Sequence, residues 1–270
     1  MNGPNTSPFY AALRVALRER NLSLTELCPA ANKLARRVLE DYGAMFLAAP
    51  TVTPPPRCVF SSEDEVQQFQ AAAGLTGANI NGARVELQPA AMAALLQARQ
   101  NAITEGLDIT PRDGAEAARR SYADTLRLWN TRFLPALDYW QTRGRLSPQE
   151  AERLRCLAID NQVGEVLTLE QDGIFFSKDF SKSVLYSIAA PGTSQHVAML
   201  AFDVIEFHSG RVRELLAEQG WFQTVLSDRP HFTFLGLSEA ELPRRGLKRM
   251  EIDGQAFWIP DTDTPAKTNS

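Results

Sequence analysis

Three consecutive prolines, Pro54–Pro56, divide this sequence more sharply than any other feature. Each proline fixes φ and lacks a backbone N–H, so the run can neither continue a helix nor lie inside a sheet. Ahead of it, residues 9–19 repeat apolar side chains at helical spacing, and Ser23–Glu26 matches a capping box that opens a second helix running to about Phe46. The pattern predicts an N-terminal helical region over residues 1–55.

The sequence after the prolines predicts helices and strands in the order expected of an α+β protein. Helical signals with capping residues or a leading proline cover residues 61–74, 89–106, 114–143 and 148–169. Strand signals cover residues 57–60, 83–88, 107–110, 200–205, 231–235 and 247–260, the last a hairpin turning on Asp253–Gly254. We therefore predict a helix-rich N-terminal part packed on a small, mostly antiparallel sheet. Residues 56–260 form the main domain in this interpretation, and residues 261–270 a polar tail.

Composition restricts the classes of partner. The net charge is −4, the sequence pI is near 5.5, and no long run of Lys or Arg occurs. These values argue against nucleic acid and against an anionic membrane as partners. The sequence contains no run of about 18 apolar residues that would predict a transmembrane helix. Nothing in it points to a protein partner.

The cysteines and the N-terminus bear on the cellular compartment. Cys28, Cys58 and Cys156 are odd in number and widely spaced, which argues against a disulfide framework and a cysteine zinc site and favours small core residues. Arg14 and Arg18 interrupt the first apolar stretch, which therefore does not match a secretory signal. We expect a cytoplasmic protein if the chain is complete, and a cell-envelope protein if a leader was removed.

Two of the three histidines lie in stretches that also hold an aspartate. His196 precedes Asp203 by seven positions, which on one helix places them roughly 10 Å apart and on one strand places them on opposite faces. The chain must bend if the two residues are to share a ligand, and Pro191–Gly192 supplies a turn before His196. Residues 199–207 then read as a strand, in which Asp203 is a carboxylate among apolar neighbours that needs a partner charge or a metal.

The second stretch, "SDRPHFTFLG", places His231 and Thr233 on one face of a strand and the two phenylalanines on the other. Pro230 keeps the preceding residue out of helical geometry, so Asp228 lies in a turn just before the strand. Two histidines and one aspartate around an open fourth position are typical of a catalytic zinc site, where a further carboxylate can act as general base. The third histidine, His208, reads as a surface residue.

The stretches "PGTSQH", with six residues between its histidine and Asp203, and "DRPHF" resemble the zinc peptidases of the D-alanyl-D-alanine carboxypeptidase and L-alanyl-D-glutamate endopeptidase group, with their S-x-H-x(6)-D and E/D-x-x-H signatures. The resemblance covers about 45 residues. It implies that His196, Asp203 and His231 bind Zn²⁺, that Asp228 is the catalytic base, and that Ser194 supports the histidine loop.

The same resemblance implies an arginine that polarises the scissile carbonyl, placed after a short strand ahead of the first motif. Arg112 occupies that place, but the usual serine-glycine-aromatic lead-in is absent, so Arg119 and Arg120 are alternatives. Arg112 also fits a solvated arginine at a helix start, paired with Asp113 or Glu116.

Two positions depart from the family pattern. Met199 stands where the family usually has a glycine, and we expect it to narrow the cleft or fill a substrate pocket. Asp228 is one methylene shorter than the glutamate of many carboxypeptidases, which leans toward the endopeptidase branch. Thr233, on the face of His231, is a candidate supporting or substrate-binding residue.

The resemblance implies a zinc-dependent peptidase whose substrate is a peptidoglycan peptide, with a D-alanyl-D-alanine carboxypeptidase ranked first. An L-alanyl-D-glutamate endopeptidase and a cytoplasmic D,D-dipeptidase are the alternatives among enzymes. A relative that binds peptidoglycan but has lost turnover is the alternative of another class. Every ionisable member of the site is present, which argues against this last interpretation.

Overall fold

The computed structural model describes residues 6–29 and 32–263 of the chain. These residues divide into two compact units, the first built from residues 6–29, 32–58, 68–119 and 195–263 and the second from residues 59–67 and 120–194. In the described part, helices and small antiparallel sheets form a mixed architecture, and the predicted α+β class is confirmed.

The first unit contains most of the strands and the N-terminal helices. Its helices are α1 (Pro8–Glu19), α2 (Leu24–Leu27), α3 (Lys33–Tyr42), α5 (Pro89–Thr104) and α9 (Gly210–Glu218), while α4 (Glu63–Ala73) spans the division between the units. Its strands are β1 (Thr76–Ile80), β2 (Ala83–Leu87), β3 (Ala201–Asp203), β4 (Trp221–Phe222), β5 (His231–Phe234), β6 (Leu247–Ile252) and β7 (Gln255–Pro260). Within this unit α3 packs against β7.

The second unit is helical. It contains α6 (Tyr122–Thr142), α7 (Pro148–Arg155) and α8 (Ile159–Leu169). Trp129 of α6 is fully buried, and its indole N–H donates to Gln162 of α8 over 2.8 Å. None of the helices in the described ranges is both long and apolar enough to cross a membrane.

A three-stranded antiparallel sheet with the order β3-β5-β4 positions the histidine stretches. Phe202 lies opposite Phe232 and Trp221 lies opposite Phe234, so one face of the sheet is aromatic and buried. Because side chains alternate along a strand, the residues between these aromatics project from the other face. Asp203 lies directly opposite His231 in this register, which brings their side chains to the same face.

Local signals in the sequence are well reproduced. The capping boxes at Ser23 and Ser147 are both present. The hairpin of β6 and β7 turns on Asp253 and Gly254, which both have positive φ as a type I′ turn requires. The helices predicted over residues 61–74 and 89–106 are also confirmed as α4 and α5.

Several predicted elements are interrupted. The helix expected from Ser23 to Phe46 is wrong, because α2 ends at Leu27 and Cys28 has φ −142° and ψ 91°. Pro29 explains this, since the residue before a proline is driven out of helical geometry. The helix expected over residues 114–143 begins only at Tyr122, after the capping box of Ser121, and the helix expected over residues 148–169 is broken between α7 and α8.

The strand predictions fail where no partner strand is available. Residues 57–60 form no strand, and residues 107–110 contribute only a bridge from the neighbouring Pro111 to Val204. The strand expected over residues 199–207 is reduced to β3. β1 was not predicted, although the turn Asn81–Gly82 that joins it to β2 has positive φ at both residues.

The structure bears on the predicted cysteine environments but does not test the predicted domain boundary. α1 and α3 belong to the same compact unit as the sheet, and a domain boundary at Pro54–Pro56 stays a prediction. Cys28 and Cys58 are buried as expected, but Cys156 is exposed, so the prediction of a core residue is wrong there. Residues 264–270 of the predicted polar tail lie outside the described residues.

Candidate metal centre

The three predicted ligands come from three different backbone settings. His196 lies in a 3₁₀ turn, Gln195–Ala198, Asp203 is the last residue of β3, and His231 is the first residue of β5. All three are buried, with exposed fractions of 2%, 7% and 5%. The bend between the turn and β3 solves the spacing problem of the first stretch, since neither a straight helix nor a straight strand could bring His196 to Asp203.

One atom from each side chain meets the other two at nearly equal distances. His196 Nε2 lies 3.1 Å from His231 Nδ1 and 3.3 Å from Asp203 Oδ1, and His231 Nδ1 lies 3.2 Å from the same carboxylate oxygen. Tetrahedral zinc with ligand bonds of about 2.0 to 2.2 Å separates neighbouring ligand atoms by roughly 3.3 to 3.6 Å. The observed triangle is within a few tenths of an ångström of that size.

The outer nitrogens of the two imidazoles define which atoms face the centre. His196 Nδ1 lies 2.7 Å from the carbonyl oxygen of Ala118, which can only accept, so Nδ1 carries the proton. His231 Nε2 lies 2.8 Å from Oε1 of Gln195, and the amide nitrogen of Gln195 donates to the carbonyl of Tyr42 over 2.8 Å. The Gln195 oxygen is therefore the acceptor, and Nε2 of His231 carries the proton.

This assignment makes all three converging atoms acceptors. In neutral imidazoles with these tautomers, His196 Nε2 and His231 Nδ1 present lone pairs to each other and to the Asp203 carboxylate. Three buried lone-pair atoms about 3 Å apart repel one another unless a cation lies between them. The group His196, Asp203 and His231 could hold a metal ion, and its donor set suits zinc.

Gln195 is itself held by a second layer of hydrogen bonds. Thr233 Oγ1 donates to the same Gln195 oxygen over 2.5 Å and lies 2.6 Å from Oγ1 of Thr224. Because Thr233 donates its proton to Gln195, Thr224 must be the donor in the pair of hydroxyls. Thr233 therefore orients the amide that orients His231, which is the kind of outer layer that fixes ligating imidazoles at metal sites.

The Asp203 carboxylate is charged in this environment. Burial raises the pKa of Asp203, but in the metal-free protein a protonated His196, together with the hydrogen bonds that His196 and His231 donate when their inward nitrogens carry a proton, outweighs burial and holds the pKa well below its usual range. The carboxylate is therefore available as an anionic ligand at neutral pH.

Asp228 lies outside the three-atom group. It is exposed, it sits in the turn before β5, and its carbonyl accepts the backbone N–H of His231 over 3.2 Å. Its carboxylate is close enough to Tyr42 to act on it: burial raises the pKa of the Tyr42 phenol, and Asp41 and Asp228 both add to the rise. The charge of Asp228 therefore lies near the Tyr42 phenol, and the carbonyl of Tyr42 anchors Gln195.

The three candidate arginines lie in different surroundings. The backbone N–H of Arg112 donates to the Asp203 carbonyl over 2.9 Å, while its half-exposed side chain lies 3.8 Å from Asp113 and 6.0 Å from the Phe207 ring. This pairing with Asp113 is the solvated alternative considered from the sequence.

Arg119 directly follows Ala118, whose carbonyl accepts the hydrogen bond from Nδ1 of His196. Its guanidinium donates to Gln70 over 2.7 Å and to Glu86 over 2.8 Å. Gln70 in turn donates to the carbonyl of Val197, next to His196. Arg119 is thus linked to the His196 turn by hydrogen bonds, whereas Arg120 belongs to the second unit.

Met199 and Ser194 flank the first ligand. The strand predicted over residues 199–207 would include Met199, but this is wrong, because β3 begins only at Ala201. Met199 has φ +56°, a left-handed conformation that favours glycine, and its side chain is fully buried. Ser194 immediately precedes the 3₁₀ turn and is partly buried.

Sequence reasoning missed the two acceptors that set the tautomers. Gln195 adjoins His196 but serves His231, and no spacing rule signals that role. The carbonyl of Ala118 is 78 residues from its histidine and, as a backbone group, leaves no trace in the sequence.

This chain has little similarity to known proteins. No known protein-family pattern matches the chain, and no curated protein matches it significantly. One similar solved structure is a mutant of the vancomycin resistance D,D-pentapeptidase VanY from a VanB-type resistance cassette, in complex with Zn(II). The identity is 15%, the alignment covers 62% of this chain and 82% of that chain, and the TM-score is 0.36. This resemblance is too low to assign an activity.

Proposed function

We propose that this chain is a zinc-dependent peptidase that hydrolyses peptidoglycan stem peptides containing D-amino acids. Among the candidate activities, we rank D-alanyl-D-alanine carboxypeptidase first. The observation that carries the proposal is the buried triangle of His196 Nε2, His231 Nδ1 and Asp203 Oδ1, whose sides are 3.1 to 3.3 Å. The substrate class rests on the resemblance of the two histidine motifs to the peptidase group.

The residues of the centre have distinct roles in this proposal. His196, Asp203 and His231 would hold the zinc, while Ala118 and Gln195 keep each imidazole in the tautomer that can ligate. When bound, zinc supplies a Lewis acid and lowers the pKa of a coordinated water to about 7.

Asp228 is the proposed general base. A carboxylate in this position can accept a proton from water and return it to the leaving amine. Its place in the turn directly before His231 supports the role.

A cationic side chain beside the scissile carbonyl would stabilise the oxyanion that forms there, and it would favour short peptides that end in a carboxylate. Arg112 is the proposed residue because its backbone binds the ligand strand, and Arg119 is the alternative because its partner Gln70 binds the His196 turn. Comparing Arg112→Lys, Arg119→Lys and Arg120→Lys tests this choice. The variant with the largest fall in kcat and with zinc retained carries the function.

Metal analysis of the purified chain tests the centre. We expect close to one zinc per chain, with His231→Ala losing it and His208→Ala keeping it, since His208 is an exposed histidine outside the group. Native protein that stays empty after zinc is added would remove the basis for the peptidase.

Mass spectrometry of a digested stem pentapeptide tests the reaction. Loss of one terminal alanine supports the carboxypeptidase, and a cut between L-alanine and D-glutamate supports the endopeptidase suggested by the aspartate at 228. The exposed position of Asp228 outside the metal group favours one further candidate, a binding protein without turnover. An intact peptide with zinc bound to the protein would support that candidate.

A further inference from the structure

Cys28 and Cys58 are 30 positions apart in the sequence and adjacent in the first unit. The backbone N–H of Cys58 donates to the carbonyl of Leu27, the residue before Cys28, over 2.8 Å, which places the two chain segments side by side, and each thiol is near enough to shift the pKa of the other. Both are reduced and buried, with exposed fractions of 7% for Cys28 and 2% for Cys58.

The two thiols differ in acidity. The neighbouring Cys58 thiol lowers the pKa of Cys28, burial raises it, Arg36 lowers it and Glu40 raises it. The neighbouring Cys28 thiol and burial both raise the pKa of Cys58. Cys28 is therefore the thiol that ionises first, and it is also the more exposed of the two.

We propose that Cys28 and Cys58 are a redox pair that a peroxide converts into a disulfide. The Cys28 thiolate attacks one oxygen of hydrogen peroxide, the O–O bond breaks, and a sulfenic acid forms with release of hydroxide. The Cys58 thiol then loses its proton and attacks the Cys28 sulfur, displacing hydroxide. In total, two thiols and one peroxide become one disulfide and two waters. A small oxidant suits the limited access to Cys28.

The disulfide would close the segment from residue 28 to residue 58, which includes α3 and Tyr42. Tyr42 supplies the carbonyl that holds Gln195, so the cross-link constrains a segment on which the orientation of His231 depends. A closed loop of about 30 residues restricts the unfolded chain enough to raise Tm by about 5 to 10 °C. The pair itself does not depend on zinc or on peptidase activity.

Peroxide treatment of the native chain, followed by denaturation, alkylation and mass spectrometry, tests the proposal. We expect a mass loss of about 2 Da for the pair, a cross-linked peptide joining Cys28 to Cys58, and the rise in Tm. Cys156 is exposed and provides an internal reference for the action of the oxidant. Oxidised Cys156 beside fully alkylated Cys28 and Cys58 would overturn the proposal.

Two variants sharpen the result. Cys58→Ser should leave Cys28 as a sulfenic acid about 16 Da heavier, which a sulfenic-acid reagent can trap. Cys156→Ser should keep the mass loss of the native chain. Circular dichroism reports whether each variant is folded. If Cys58→Ser does not fold, the experiment on the native chain alone decides whether Cys28 and Cys58 form a disulfide. A Cys58→Ser protein that is folded and unmodified at Cys28 would count against Cys28 as the attacking thiolate.

Discussion

Gln195 should control zinc affinity without touching the metal. Its Oε1 accepts the Nε2 proton of His231 over 2.8 Å, so Gln195→Leu leaves that buried N–H without its acceptor. An unsatisfied buried donor costs about 1 to 3 kcal/mol, and loss of the outer partner of a ligating histidine typically weakens metal binding by about 10- to 100-fold. This range corresponds to about 1.4 to 2.7 kcal/mol.

The same substitution also removes hydrogen bonds that stabilise the fold. Thr233 loses its acceptor and the carbonyl of Tyr42 loses a donor, although the Thr233 hydroxyl can reorient within its pair with Thr224. At about 0.5 to 1.5 kcal/mol for each hydrogen bond, the variant should lose roughly 1 to 4 kcal/mol of unfolding free energy. A control must separate this general loss from the loss of zinc affinity.

Gln162→Leu provides the control. Gln162 is also buried, accepts a ring N–H from Trp129 over 2.8 Å, and donates its amide to the carbonyl of Leu154 over 3.1 Å. The substitution therefore removes the same types of hydrogen bond without removing any of those described around the metal ligands.

Competition with a chromogenic chelator at fixed pH measures the zinc Kd of both variants and of the native chain. Urea unfolding with excess zinc measures their stabilities. We expect weaker zinc binding only in Gln195→Leu and lower stability in both. An unchanged zinc Kd in Gln195→Leu, or an equal loss in Gln162→Leu, would refute the role assigned to Gln195.

Three further outcomes are expected. Asp228→Ala should keep its zinc, and its turnover should fall by a factor of about 10² to 10⁴, the usual contribution of a general base. The control Asp160→Ala, at another exposed aspartate, should match the native rate. Steady-state kinetics on the pentapeptide measure both variants, and a fully active Asp228→Ala would contradict the role of Asp228. Met199→Gly relieves about 1 kcal/mol of left-handed backbone strain but removes a buried side chain that contributes about 2 to 5 kcal/mol to stability. Denaturant titration should therefore show that the free energy of unfolding falls by about 1 to 4 kcal/mol. A rise in that free energy would mean that the strain outweighs the packing. In metal-free protein, the ionised Asp203 carboxylate should stabilise the fold fully above about pH 4, and this stabilisation should be lost as the pH falls through the lowered pKa of Asp203. Denaturant unfolding as a function of pH measures the loss. If Asp203→Asn lost as much stability in acid as the native chain, the loss would belong to other groups.

Elements defined by local chemistry could be predicted from the sequence. Ser23 and Ser147 open helices through contacts within three residues, and Asp253–Gly254 closes a hairpin through its own backbone conformations. The strand predicted at residues 57–60 failed for the opposite reason. A strand needs a neighbour with which to pair, and an apolar run does not tell whether the fold provides one.

The candidate ligands were also visible in the sequence, because histidine is rare in this chain and two of its three copies accompany an aspartate. The sequence determined which side chains could bind a metal and that the chain between His196 and Asp203 had to bend. The tertiary structure decided that His196 presents Nε2 and His231 presents Nδ1. Those choices depend on acceptors at Ala118, 78 residues from its histidine, and at Gln195, 36 residues from its own. A hydrogen bond between distant segments is set by packing, and a backbone carbonyl is the same in every residue, so the sequence alone cannot specify either contact.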